Sequence, residues 1–265
     1  MTDRPEALHA TDRTVLRIAG PDARDFLQGL VTNDVRRLDQ GPLYAALLSP
    51  QGKYLFDFFL VADGLDAVLL DIKADRAAAL AQRLAMYRLR ANVAIAADRR
   101  VVVVGAGEPP QGAFADPRDP ALGWRALVAA EDAPVAAGPG DTVLAAARVA
   151  RGVPETGVEL LPDDSYILEL GFERLHGVDF RKGCYVGQEV TARMKHKAEL
   201  RKGLARVRIE GAVPPPGTAI LAGVRPAGTL HTAADGEGLA YLRFDRAEGP
   251  LTAGGARLTR LPDGP

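Results

Sequence analysis

Lys182-Gly183-Cys184-Tyr185-Val186-Gly187-Gln188-Glu189 is the densest chemical stretch of the chain, and the reading of the fold turns on it. It sets the single thiol of the sequence among a cation, an aromatic ring, two glycines and an acid. Glycines at 183 and 187 permit unusual dihedrals or close backbone approach, and a nearby ammonium favours the thiolate, the nucleophilic and metal-binding form of cysteine. Those properties suit a turn that faces a ligand. Taken alone, a lone cysteine is as readily a small buried hydrophobe. A single thiol excludes an internal disulfide, and it excludes a zinc or iron–sulphur site built from this chain's thiolates alone. A reducing compartment is expected.

Outward from this stretch, the residues before it read as mixed α and β structure. Thr14 to Ile18 alternates like a strand, and Gly20-Pro21-Asp22 supplies a breaker and an N-cap for a helix through Phe26, Leu27 and Leu30. Leu43 to Leu48 and Tyr54 to Val61 form a β-hairpin around Ser49-Pro50-Gln51-Gly52, extended by Ala67 to Ile72 into an antiparallel meander. Asp75 can cap a helix carrying Leu80, Leu84 and Tyr87 at helical spacing. Strands are expected at Asn92 to Ala96, Arg100 to Val104 and Leu122 to Val128, and helices at Asp141 to Ala150 (ended by Gly152) and at Tyr166 to Leu175. Beyond Lys197 the chain turns to short β-type runs, Gly203 to Glu210, Thr218 to Leu221, Gly238 to Phe244 and Ala256 to Leu261, which predict a small β-barrel.

Composition excludes several classes. At 265 residues, 47% hydrophobic and 25% charged, the chain is an ordinary folded protein large enough for two or three small domains. Thirty-three basic against thirty-four acidic residues give a net charge of -1, so no global field draws it to nucleic acid or to an anionic membrane, and direct nucleic-acid binding is not expected. No apolar run approaches the ~20 residues that span a bilayer. The residues Met1 to Thr14 lack the apolar core of a secretory signal and do not read as a transit peptide, so a bacterial-type cytoplasm is expected. Val104-Gly105-Ala106-Gly107 is followed by Pro109-Pro110 where a dinucleotide site needs a helix, and His9, His176, His196 and His231 have no metal-ligand spacing.

Lys-Gly-Cys-Tyr-x-Gly-Gln-Glu resembles the signature of YgfZ-type proteins, the folate-binding relatives of the glycine-cleavage T-protein (aminomethyltransferase). Asp22 to Asp34, Ser49 to Asp57, Tyr87 to Val93 and Arg148 to Glu155 follow in that family's order, so the resemblance covers essentially the whole chain. It implies an α+β, three-domain disc with two mixed α+β domains and a C-terminal β-barrel around a central folate pocket. The expected boundaries are 1–42 plus 141–197 for a discontinuous first domain, 43–140 for an inserted second, and 198–265 for the barrel. It further implies tetrahydrofolate or a derivative as cofactor, and a role with iron–sulphur carrier or client proteins, including the cluster enzyme that thiolates tRNA.

Carried over by position, Asp57 matches the T-protein's catalytic aspartate beside the folate amine, and Tyr44 matches a folate-contacting tyrosine. Asp57 could then orient or protonate that amine; without the family it reads equally as a solvated or capping residue. Lys182, Tyr185, Gln188, Glu189 and Arg193 are candidate cofactor contacts, and Arg181, Lys195 and Lys197 complete a basic cluster able to meet a glutamate tail or phosphate. The same cations could form a solvated face paired with Glu169 and Glu189, and Tyr185 could be a core ring. The T-protein's Arg-x-Glu glutamate is replaced by Ala150, which opposes aminomethyl transfer. The leading expectation is therefore a tetrahydrofolate-binding accessory factor for assembly or repair of iron–sulphur proteins. In it Cys184 serves as a transient cluster ligand or redox residue, the other ligands coming from a partner. The alternatives are a folate-dependent one-carbon transferase and a non-catalytic folate-binding module.

Overall fold

The computed structural model describes residues 6–196 and 199–262; Lys197 and the boundary expected between residues 197 and 198 lie outside them. In chain order the elements begin with β1 (Ala7–Ala10), β2 (Arg13–Ala19), α1 (Ala23–Gln28), β3 (Leu43–Leu48), β4 (Tyr54–Ala62), β5 (Ala67–Lys73), α2 (Ala74–Tyr87) and β6 (Ala94–Ala97). They continue with β7 (Val101–Gly105), β8 (Phe114–Ala115), β9 (Trp124–Val128), β10 (Ala137–Gly138) and α3 (Gly140–Arg151). An irregular stretch then leads to α4 (Gln188–Lys195). The last part holds β11 (Lys202–Glu210), β12 (Ala219–Ala222), β13 (Arg225–Ala234), β14 (Glu237–Arg243), β15 (Leu251–Ala253) and β16 (Ala256–Arg260).

Three sheets organise these elements. One has the order β3-β4-β5-β2-β6, a second the order β10-β1-β7-β9-β8, and the third closes into a barrel, β11-β14-β13-β12-β15-β16. Closure leaves the barrel without the unpaired edge that open sheets must protect. The α+β class and the C-terminal barrel are as the sequence predicts, but the pairing crosses two expected boundaries. β2 runs against β5 from Arg13↔Lys73 to Ala19↔Ala67, so residues 13–19 pair with the meander, while Gln28, Thr32 and Asn33 bond to residues 176–182. Leu16 and Ile18 on β2 enter the same core as Leu27 of α1 and Leu80 of α2. At the other end, β10 lies parallel to β1 and β7 antiparallel to it, so strands within residues 101–138 join β1 in the second sheet.

Three other expectations change. Tyr166 to Leu175 is not a helix but a series of hydrogen-bonded turns, interrupted at Gly171 (φ +78°) and ended by His176 (φ +55°). Asp22 precedes α1 without a side-chain cap; its carboxylate instead accepts from the Asn92 amide at 2.7 Å, tying α1 to the loop after α2. Lys73, rather than Asp75, stands at the start of α2, with Asp75 in the first turn, where an acid still complements the helix dipole.

The irregular stretch supplies its own core. Phe172 is fully buried with Val153, Leu160, Ile167 and Leu175, and its ring lies 5.0 Å from that of Tyr44. It thereby fastens the turns to β3. Truncating a buried phenylalanine costs about 3–5 kcal/mol. Phe172→Ala is expected to lower stability by about that amount, read as a lower urea midpoint with an unchanged slope.

Candidate functional site

β3 and β4 bring Tyr44 and Asp57 together, as the sequence suggests, and add partners that it does not. The register pairs Tyr44 with Phe59 and Ala46 with Asp57, then slips, so that Leu48 faces Tyr54 and Leu55 is left as the extra residue of a bulge. Strict alternation would send Tyr54 and Asp57 to opposite faces; the bulge returns Tyr54 to the face of Asp57. The Tyr44 hydroxyl donates to Asp57 Oδ2 at 2.9 Å and the Tyr54 hydroxyl to Oδ1 at 2.7 Å, while Thr156 Oγ1 also donates to Oδ1. Burial, reinforced by the Asp57 charge, holds both tyrosine hydroxyls well above their ordinary pKa, so they stay protonated and donate.

Around this group lies a buried ionic network. Asp71 of β5 accepts from Arg13 of β2 and from Arg125 of β9 at 2.8 Å; Arg125 also reaches Asp116 at 2.9 Å, and Asp116 binds Arg118 at 2.9 Å. Burial alone would raise the pKa of Asp116, yet Arg118 and Arg125 hold it well below the usual carboxylate range. The guanidinium groups of Arg125, Arg118 and Arg13 stand 3.9, 4.9 and 5.4 Å from the centre of the Phe59 ring. Arg118 also lies 5.6 Å from the Tyr44 ring. None of these cations is conspicuous in sequence, because each comes from a different element.

The residues around Asp57 leave no room beside its carboxylate for a folate. Tyr44 is fully buried between Phe59 and Phe172, with ring centres at 5.3 and 5.0 Å, and its hydroxyl is spent on Asp57. Both Asp57 oxygens are occupied by hydroxyls of this chain. The space beside them, lined by Tyr54, Phe56, Asp57, Lys73, Arg76 and Thr156 among others, has no room even for a water molecule. Ligand pockets are typically ~300–1,000 Å³. A wider groove of about 780 Å³ runs past Arg37, Tyr44, His176, Phe180, Arg181 and Lys195, but Asp57 does not line it. Ala150, which stands where the T-protein has its glutamate, is exposed on α3, while Arg148 beside it is buried near Glu155 and Glu159.

The thiol is held elsewhere. Cys184 is exposed, and the residues around it form its mount. Lys182 is buried, and its ammonium donates to the carbonyls of Gln28 at 2.6 Å and Val31 at 2.5 Å, at and beyond the end of α1. Gln28 returns a bond to the Lys182 carbonyl at 3.2 Å. No described carboxylate pairs with this ammonium, and burial brings its pKa down to about 8. Tyr185 is buried in the same core cluster as Tyr44 and Phe172, and the Gln188 side chain accepts from its amide at 3.1 Å. Gly187 has φ +82°, and a Cβ there would come within 2.5 Å of the Ser49 carbonyl oxygen in the hairpin turn.

Lys182, Tyr185 and Gln188 are thus scaffold, while Glu189 and Arg193 pair with each other at 3.2 Å on the exposed face of α4. Lys195 pairs with Glu173, and Glu169 accepts from Tyr241 of the barrel at 2.5 Å. The residues that sequence reasoning missed, Tyr54, Thr156, Arg118 and Gln28, signal themselves only through tertiary contact. No described cluster of three or more His, Cys, Asp or Glu could hold a metal, and no described helix is long and apolar enough to cross a membrane.

This arrangement is that of an aminomethyltransferase T fold. The chain superposes on the crystal structure of the glycine cleavage system aminomethyltransferase T from Bartonella henselae with a TM-score of 0.76, covering 97% of this chain and 85% of that one. At 13% identity the likeness is one of fold alone. Residues 201–263 match the family model for the CAF17, C-terminal beta-barrel domain. The mitochondrial iron-sulfur cluster assembly factor IBA57 of Homo sapiens is 33% identical over 278 residues, covering 90% of this chain and 78% of the human protein. The Mus musculus protein of the same name is 31% identical over 281 residues with the same coverage, and a Mycosarcoma maydis homologue is 34% identical over 234 residues, covering 78% of this chain and 58% of that protein. The chain belongs to the IBA57 family of iron–sulphur cluster assembly factors. These relatives carry the IBA57 rather than the YgfZ name and are named as mitochondrial, so they do not support the cytoplasmic expectation.

Two outcomes follow from the geometry. Isothermal titration of the purified chain with tetrahydrofolate should show no saturable heat at micromolar ligand; micromolar binding abolished by Asp57→Asn would mean that the centre opens. Lys182 gives a pH signature. Because its folded pKa is near 8 and the ordinary lysine value is 10.5, the unfolded chain keeps a proton that the folded chain releases between those values. Stability from this group therefore rises with pH across that window. Urea midpoints of wild type and Lys182→Met should diverge in favour of wild type from pH 7 to pH 9.5.

Proposed function

We propose that this protein is an accessory factor in the assembly or repair of iron–sulphur proteins, with Cys184 lending one ligand to a cluster that a second molecule also holds. The observation that carries the reading is the exposed thiol on a loop fixed by Lys182, Gln28, Tyr185 and Gln188. A buried structural cysteine would need no such mount. Clusters of the common types take four thiolate ligands, and this chain has one thiol. The remaining ligands come from a carrier or client protein, or from small thiols, and the cluster is cargo rather than a resident group. On binding, the Cys184 thiol gives up its proton, its sulphur bonds to iron, and one ligand of the incoming cluster is released. We count cluster enzymes, including those that thiolate tRNA, among the clients, and we assign tetrahydrofolate no step.

A one-carbon transferase is the weaker reading. Its aspartate is saturated by three hydroxyls and has no adjoining space for a substrate.

In cells lacking the native gene, Cys184→Ala should accumulate to wild-type levels and melt at the wild-type temperature, since the side chain is exposed. Activity of cluster-dependent enzymes should stay at the level of the deletion, a loss of tenfold or more against wild type. Full restoration by Cys184→Ala would remove the thiol from the mechanism.

A further inference from the structure

The loop that leaves α2 carries an unusual exposed group. Leu89 is 91% exposed and sits at φ +39°, in the left-handed region that leucine avoids. Holding a non-glycine residue there costs on the order of 1 kcal/mol or more, and the exposed side chain recovers none of it within this chain. Met86, one helical turn earlier, is 57% exposed. Arg88 and Arg90 flank Leu89, both exposed and neither ion-paired with a described carboxylate. Residues 76–97 hold four arginines and no acid, so this segment presents an apolar side chain flanked by cations, with Asp22 at the start of α1 beyond them.

Its place in the fold joins it to the thiol. Asn92, two residues beyond Arg90, is bonded to Asp22 at the start of α1. Lys182, two residues before Cys184, is bonded to Gln28 at the end of the same helix. α1 has six residues, a rise of about 9 Å, so both features hang from opposite ends of one short rod. Val186 and Tyr87 also pack against a single core cluster.

The geometry points to the Met86–Arg90 loop as the docking surface for the protein that shares a cluster with Cys184: an iron–sulphur carrier whose cluster face is acidic and holds an apolar pocket for Leu89. This rests on the cluster-sharing function proposed above. Charge complementarity selects that occupant. A [2Fe–2S] cluster held by thiolates is itself anionic, and a carrier that presents it near Cys184 brings negative charge toward Arg88 and Arg90. Arginine and methionine are enriched at protein interfaces, and arginine among the residues that carry their binding energy. One leucine and one methionine bury too few methylenes to hold the protein on a lipid surface, where even a full acyl chain gives only marginal binding.

The cluster carrier proteins encoded by the same organism, each purified and loaded with a [2Fe–2S] cluster under argon, are titrated into the full chain and its variants. Leu89→Asn places a residue that tolerates the left-handed region, so its melting temperature should equal or exceed that of wild type while its affinity for the carrier falls tenfold or more. Arg88→Glu with Arg90→Glu should weaken binding at least as much, and the wild-type affinity should fall with added salt. Val224→Asn, on an exposed barrel turn, should bind as wild type does. Carrier binding within threefold of wild type by Leu89→Asn and by the double arginine variant overturns the surface while leaving cluster sharing intact. Failure of wild type to bind any loaded carrier also overturns the surface, and cluster sharing then stands or falls on the Cys184→Ala test in cells.

Discussion

Asp71 is the constraint on which the arrangement of the two α+β sheets depends. It is fully buried on β5, and its carboxylate is neutralised from both sides: by Arg13 on the neighbouring strand and by Arg125 from the other sheet. A carboxylate cannot be buried without such partners, and removing one partner of a buried pair costs about 3–5 kcal/mol. β9 must therefore stay where Arg125 can reach Asp71. Through Asp116 the same requirement places Arg118 over the Phe59 and Tyr44 rings. The centre is polar, but its polarity is spent internally.

The result is a division of labour between two parts of one fold. Where the T-protein resemblance expects a cofactor, this chain has a closed lattice of hydroxyls, carboxylates and guanidinium groups around Asp57. The reactive group sits at the surface, on a loop whose neighbours are buried. Lys182 shows the cost most clearly: an ammonium with only carbonyls for partners is an expensive way to fix a loop. That expense is consistent with a thiol whose position matters.

Much of the fold was legible because period and punctuation agree. The β3–β4 hairpin announces itself by two apolar runs around Pro50 and Gly52, and α3 by its periodicity and by Gly152, which takes the left-handed cap. β13 was not legible, because Pro226 and Gly228 argue against a strand and only pairing on both sides overrides them. The pairing of β2 with β5 was not legible for a related reason: nearly fifty residues separate them, and local pattern says nothing about distant pairing. At the site, the eight-residue motif located the thiol but blurred the roles within it. Lysine, tyrosine and glutamine look like ligand-binding side chains until their partners prove to be Gln28, a buried core and a neighbouring amide. The bulge at Leu55, which turns Tyr54 toward Asp57, leaves no mark in the residue pattern.

The solitude of Cys184 has a consequence for its fate under oxidants. A sulfenic acid formed there has no second thiol in the chain to condense with, so internal disulfide formation, the usual protective exit, is closed to it. It must be capped by a small thiol, captured by another protein, or oxidised irreversibly. The protein's working lifetime in air is then set by the thiol pool around it rather than by the stability of its fold.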